Sequence, residues 1–180
     1  HFPGHGDTDR DSHLELPYVN RDADSLEKVE LEPFAQTVSH GLKVIMTAHV
    51  IYSEWDDKLP ATFSPIILKS ILREKLGFDG LVITDDLEMK AVEENIPFES
   101  IPRLGSIAGV DLYLICHDRK KTLSLQNQMI QDIEMGHIDK KLIELSAQRI
   151  IDFKKQIPPT SYGKENLSDL ARGHIELIQE

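Results

Sequence analysis

The chain has 180 residues, enough for one sizeable core, and its 40% apolar and 28% charged content is ordinary for a globular protein. A formal net charge of −11, with no basic patch carrying interleaved aromatics, argues against a nucleic-acid partner. The one cysteine, Cys116, excludes an internal disulfide framework, and no apolar run approaches the roughly 18 residues of a membrane span.

Residues 1–17 read as a loop, because Pro3, Gly4 and Gly6 break any period and polar residues fill the rest. The loop is dense in proton-active side chains: His1, His5, Asp7, Asp9, Asp11 and His13. Such a loop is a metal site, acid–base machinery, or simply a solvated surface segment. The spacing of His1, His5, Asp11 and His13 fits no familiar zinc pattern. A polar linker over 20–25 leads to a predicted helix over 26–40, stopped by Gly41. Residues 42–50 then read as a buried strand with His49 at its far end, placed either to line a pocket or to satisfy a buried backbone group.

After a loop through Trp55 and Pro60, Ser64-Pro65 opens a helix over 65–76. That helix delivers the chain to Gly80-Leu81-Val82-Ile83-Thr84-Asp85-Asp86-Leu87. A short apolar run bounded by glycine reads as a strand buried on both faces. Its terminal carboxylates are either the cap of the next helix, for which Asp86 is the better candidate, or a ligand site at the C-terminal edge of a parallel sheet. Residues 88–99 look exposed, 98–108 form a helix ending at Gly109, and 110–116 form a third buried strand. Cys116, at its end, is expected in the core. Helices over 119–135 and 139–156 follow, and a short helix over 167–178 is expected in the tail.

Strands alternating with helices at intervals of about 35–40 residues predict an α/β fold with a parallel sheet, of the kind a (β/α)8 barrel uses. A doubly wound sheet competes, but no glycine-rich phosphate loop follows any strand. If the opening loop follows a strand lying upstream, four β/α units are present, the C-terminal half of a barrel over residues 1–157 with a tail over 158–180. The opening His1-Phe2-Pro3-Gly4 reads as an interior element, so the chain is expected to be a fragment.

Hydrolysis of an acetal needs a proton for the leaving oxygen and a group that stabilises the oxocarbenium-like transition state. A carboxylate at Asp85 can attack an anomeric carbon, and a histidine oriented by an aspartate suits the acid and then base role near neutral pH. The segments His1-Phe2-Pro3-Gly4-His5-Gly6, Asp11-Ser12-His13, Met46-Thr47-Ala48-His49, Leu76-Gly77-Phe78-Asp79-Gly80 and Thr84-Asp85-Asp86 together resemble glycoside hydrolase family 3. They are similar above all to its bacterial β-N-acetylglucosaminidase branch, which acts in peptidoglycan recycling. The resemblance runs from His1 to about residue 155 and implies a two-step retaining mechanism.

It places the nucleophile on Asp85, the acid/base dyad on His13 with Asp11, and sugar binding on His1. It implies no metal or organic cofactor, and a partner set of N-acetylglucosamine-containing cell-wall saccharides, with no nucleic acid and no membrane. The lysine that precedes His1 in the family motif, and an Asp and an Arg of the sugar pocket, belong to the upstream barrel half. Glu88 departs from the small residue usual in the family. A phosphorylase of the same family and a catalytically silent partial barrel are the alternatives. One cysteine and a recycling role lean towards the cytoplasm.

Overall fold

Gly80 starts the central strand because nothing larger fits there. A Cβ at this position would lie 2.3 Å from the Lys43 carbonyl oxygen, which accepts the Leu81 N–H at 2.9 Å. The computed structural model, which describes residues 1–5, 7–8, 11 and 15–158, has β4 (Leu81–Asp86) between β2 (Val44–Met46) and β5 (Leu112–Leu114), all parallel. Phe2 extends this order, bridging in parallel to Thr47, with its N–H on the Met46 carbonyl and its own carbonyl accepting from Ala48. Beside this arc β1 (Tyr18–Val19) pairs with β3 (Ile51–Tyr52), again in parallel. The predicted α/β alternation with parallel strands is what the chain forms; the short β1–β3 pair was not among the predicted elements.

Helices separate the strands. A helical segment, α1, runs through Ala23–Ser25, a π-type stretch Leu26–Leu31 and Glu32–Ser39. It starts three residues before the predicted helix because Asp22 caps it, accepting from Ser25 N–H at 2.9 Å. The next, α2 (Ile66–Lys75), is also π-type and buries Ile67, Leu68, Ile71 and Leu72 as its core face. Then come α3 (Lys90–Glu93), α4 (Ile101–Ala108), α5 (Arg119–Glu134) and α6 (Lys140–Gln156). Gly109 ends α4 in the left-handed region at φ 101°, where glycine avoids the Cβ penalty. Asp118 and Asp139 cap α5 and α6.

One apolar cluster lies between the strands and α1 and α2, built on Phe2, Leu26, Ile45, Leu68 and Val82. A second, around Phe63, Leu87, Val92, Ile96, Ile101 and Leu125, closes the other side. This second cluster corrects the expectation that 88–99 is exposed: Met89, Ala91, Val92 and Ile96 are buried, and Val92 and Ile96 belong to the cluster with Phe63, Ile101 and Leu125. Cys116 is exposed rather than in the core, since β5 already ends at Leu114. The tail helix predicted over 167–178 lies outside the described residues. Among the described residues, no helix is long and apolar enough to cross a membrane.

The N-terminal edge of the sheet is tied by Asp111, whose side chain is fully buried. Its carboxylate accepts from Arg73 at 3.0 Å, from Arg149 at 2.7 and 2.9 Å and from Val82 N–H at 2.9 Å. One carboxylate thus joins α2, β4, the start of β5 and α6.

Candidate active site

The register of β4 on β5 breaks at the motif. Ile83 pairs with Leu112 and Asp86 with Leu114, so three steps on β4 face two on β5. This bulge falls on Thr84-Asp85, and a bulge re-aims a side chain that regular alternation would point elsewhere. Thr84, fully buried, compensates for the broken ladder: its hydroxyl oxygen accepts from Leu114 N–H at 2.9 Å. Asp85 is left at the C-terminal edge of the strands. Its Oδ1 accepts from Asp86 N–H at 2.8 Å, and its Oδ2 lies 3.1 Å from His1 Nε2.

His1 reaches Asp85 because Phe2 is anchored beside β2. Phe2 is fully buried and packs edge-on to Phe34, ring centroids 5.1 Å apart. Two residues on, the Tyr52 hydroxyl donates to the Gly4 carbonyl at 2.5 Å. Burial raises the proton affinity of that phenol, followed by the nearby Glu30 and Asp7 carboxylates, so it stays a donor. Asp7 pairs through both carboxylate oxygens with Arg21, which donates to it and holds its carboxyl below the usual aspartate range. His5 Nδ1 lies 3.1 Å from the Thr8 hydroxyl.

Of the expected site residues, the structure brings Asp85 and His1 together. Asp11 is exposed, with its carbonyl accepting from Glu15 N–H at 3.1 Å. His13 and Asp9 lie outside the described residues, so the Asp11–His13 relation is not among the observed contacts. His49 is buried and neutral: burial pushes its pKa down by more than nearby Asp85 and Asp86 pull it up. Its Nε2 donates to the Asp86 carbonyl at 3.2 Å, so of its two predicted placements it takes the one that satisfies backbone.

Three participants were not singled out in the sequence for these roles: Thr84, Glu88 and His117. Asp86 does not cap a regular helix, since Met89 holds the cap position of α3. Its Oδ1 instead accepts from Glu88 N–H at 3.1 Å and Cys116 N–H at 3.3 Å. The Glu88 carboxylate in turn accepts from His117 N–H at 2.6 Å and Asp118 N–H at 3.2 Å, where α5 begins. Desolvation raises the Glu88 pKa, but these N–H donors, with Lys121 and His117 nearby, outweigh it and leave the carboxyl below its ordinary range.

Asp86, Glu88 and His117 form a group whose donor atoms could hold a metal ion, with His117 Nδ1 3.2 Å from Asp86 and 3.3 Å from Glu88. The backbone bonds to both carboxylates, and Lys121 Nζ at 3.6 Å from Glu88, make this group a clasp between the end of β4 and the start of α5. The departure from a small residue at Glu88 was the one sequence signal that something new happens there.

The arrangement is a strand-end carboxylate with one oxygen held by backbone and the other facing a histidine, over a buried floor. Such a group can accept a hydrogen bond from, or attack, an electrophilic carbon presented from above the sheet. The model of the glycosyl hydrolase family 3 N-terminal domain matches residues 1–153. A beta-hexosaminidase of Haemophilus influenzae (strain PittEE) is 36% identical over 176 residues, covering 94% of this chain and 50% of that protein. The chain therefore spans about half the length of this curated relative. A glycoside hydrolase family 3 β-N-acetylglucosaminidase from Paenibacillus sp. superposes with a TM-score of 0.84 at 36% identity, over 86% of this chain and 30% of that one. The β-N-acetylglucosaminidase from Thermotoga maritima gives 0.78 at 37% identity, over 85% and 33%.

Proposed function

This chain belongs to glycosyl hydrolase family 3, and from that premise we propose that the protein carrying it is a retaining exo-β-N-acetylglucosaminidase with Asp85 as its nucleophile. The observation that carries the reading is the pairing of Asp85 Oδ2 with His1 Nε2 at 3.1 Å at the C-terminal edge of the parallel strands. The hexosaminidase relatives support the sugar class. The cell-wall fragments of peptidoglycan recycling are the proposed substrates, and the cytoplasm the proposed compartment.

In the first step Asp85 Oδ2 attacks the anomeric carbon of a terminal N-acetylglucosamine as the bond to the leaving oxygen breaks. His13, oriented by Asp11, gives its proton to that oxygen. The product is a glycosyl ester on Asp85. In the second step His13 takes a proton from water, whose oxygen attacks the same carbon, and the ester bond breaks to return the Asp85 carboxylate. Two inversions leave the configuration retained. The Asp86 N–H on Oδ1 directs attack to Oδ2. His1 exchanges its contact with Oδ2 for a sugar hydroxyl when the substrate enters. The remaining sugar contacts are assigned to the part of the family's length that this chain does not span.

The test is kcat/KM for the protein on an aryl N-acetylglucosaminide against the matching aryl glucoside. We expect strong preference for the former; equal rates, or preference for the glucoside, would overturn the assignment.

A further inference from the structure

We propose that His49 is a positioning residue for Asp85, fixing through Asp86 the carboxylate oxygen that does not attack. The proposal rests on the reading of Asp85 as nucleophile.

The register Met46↔Ile83 between β2 and β4, carried three residues further, brings residue 49 level with residue 86. The paired stretch of β2 and β4 ends at Met46 and Ile83, and at residue 86 a side chain bonds the backbone instead. The Asp86 carbonyl accepts from His49 Nε2 at 3.2 Å and from Met89 N–H at 3.2 Å. A carbonyl only accepts, so Nε2 carries the proton, and in a neutral ring Nδ1 must then accept. Its partner is the Thr62 hydroxyl at 2.8 Å. Thr62 Oγ1 also lies 3.0 Å from the Ala48 carbonyl and 2.9 Å from Thr47 Oγ1. Thr62 donates to the Ala48 carbonyl, so its one hydrogen is shared between that carbonyl and His49 Nδ1, and Thr47 is left to donate to it.

His49 thus links the Thr62 hydroxyl to the Asp86 carbonyl, while the Asp86 N–H holds Asp85 Oδ1 at 2.8 Å. All three side chains are buried, His49 at 1% exposure and both threonines at 0%. The ring faces Asp85 and Asp86, and burial keeps it neutral, while the Asp86 carbonyl selects the tautomer protonated on Nε2. A histidine that merely filled space would need none of this ordering.

The test compares His49→Gln, His49→Leu and Thr62→Val in the protein carrying this chain, on aryl N-acetylglucosaminides with good and poor leaving groups. Glutamine keeps an N–H donor for the Asp86 carbonyl; leucine does not. We expect His49→Leu to lower kcat on the order of tenfold to a hundredfold, the scale of a misplaced reacting group. KM should stay within about threefold, and both leaving groups should suffer alike, because the fault lies at the attacking carboxylate rather than at the proton donor. Glutamine should recover most of the rate, and Thr62→Val should fall between the two. Wild-type kcat in His49→Leu, or equal loss in the glutamine and leucine variants, overturns the proposal. If the leucine variant does not fold, wild-type kcat in folded Thr62→Val overturns it equally. Asp85→Ala is assayed alongside. If that variant turns over normally, the nucleophile assignment fails and the proposal with it. If it is inactive while His49→Leu is normal, only the positioning role fails.

Discussion

Thr84, Asp85 and Asp86 are consecutive, and each does something different. Thr84 replaces a missing ladder bond to Leu114, Asp85 faces His1, and Asp86 gathers the N–H groups of Glu88 and Cys116. Thr84→Val keeps the shape and removes the acceptor, leaving the Leu114 N–H unpaired. It should cost about 1–3 kcal/mol in chemical denaturation; a loss near zero would remove Thr84 as the staple of the bulge. His49 makes a pH prediction whose sign is fixed by its lowered pKa. The unfolded chain binds this proton at the ordinary histidine value of 6.5, above the folded value, so it is protonated first as pH falls. The stability owed to neutral, buried His49 is therefore complete above that value and is lost progressively below it. The stability difference between wild type and His49→Gln should narrow from about pH 7.5 to about pH 5.5. Widening on acidification would contradict a buried neutral ring. From the sequence, the strand-end position of Asp85 was legible because a strand ending in acid is a local pattern. The role of Thr84 was not, because it depends on a bulge between strands about thirty residues apart, nor was that of His49, whose contact joins residues 37 apart in the sequence.

Among the elements, the three-stranded arc and the helices between its strands were legible from apolar runs and their punctuation by Gly41, Gly80 and Gly109. The short β1–β3 pair was not, since two-residue strands carry no period. Residues 88–99 were misread because the polar run Glu88, Lys90, Glu93, Glu94 and Asn95 hides a buried face of Met89, Ala91, Val92 and Ile96. The segment has too few turns to display helical periodicity clearly. The joint that holds α2 and α6 to the sheet is Asp111 with Arg73 and Arg149. Burial, then the neighbouring Arg149, lowers the Arg73 pKa, against the pull of Asp111. Removing the carboxylate strands two partly buried cations, so Asp111→Ala should destabilise the protein by about 3–5 kcal/mol in denaturant unfolding. A loss below about 1 kcal/mol would mean that the arginines find other partners.

For the whole molecule, the chain forms an open arc of parallel β/α units, as part of a family 3 barrel does, and it spans 50% of the Haemophilus relative. The sequence motifs reached this arrangement through the resemblance; strand spacing alone left a doubly wound sheet as a competitor. If water is the acceptor in the second step, added phosphate should leave the product of aryl N-acetylglucosaminide cleavage as free N-acetylglucosamine. Release of the sugar 1-phosphate would make the protein a phosphorylase.

The central claim is that Asp85 becomes covalently bonded to the sugar. The measurement that tests it most directly is peptide mapping by mass spectrometry after the active protein is inactivated with a fluorosugar that slows the second step. The expected result is a single glycosyl adduct on Asp85. An adduct on another carboxylate, or stoichiometric inactivation that leaves the Asp85 peptide unmodified, would contradict it.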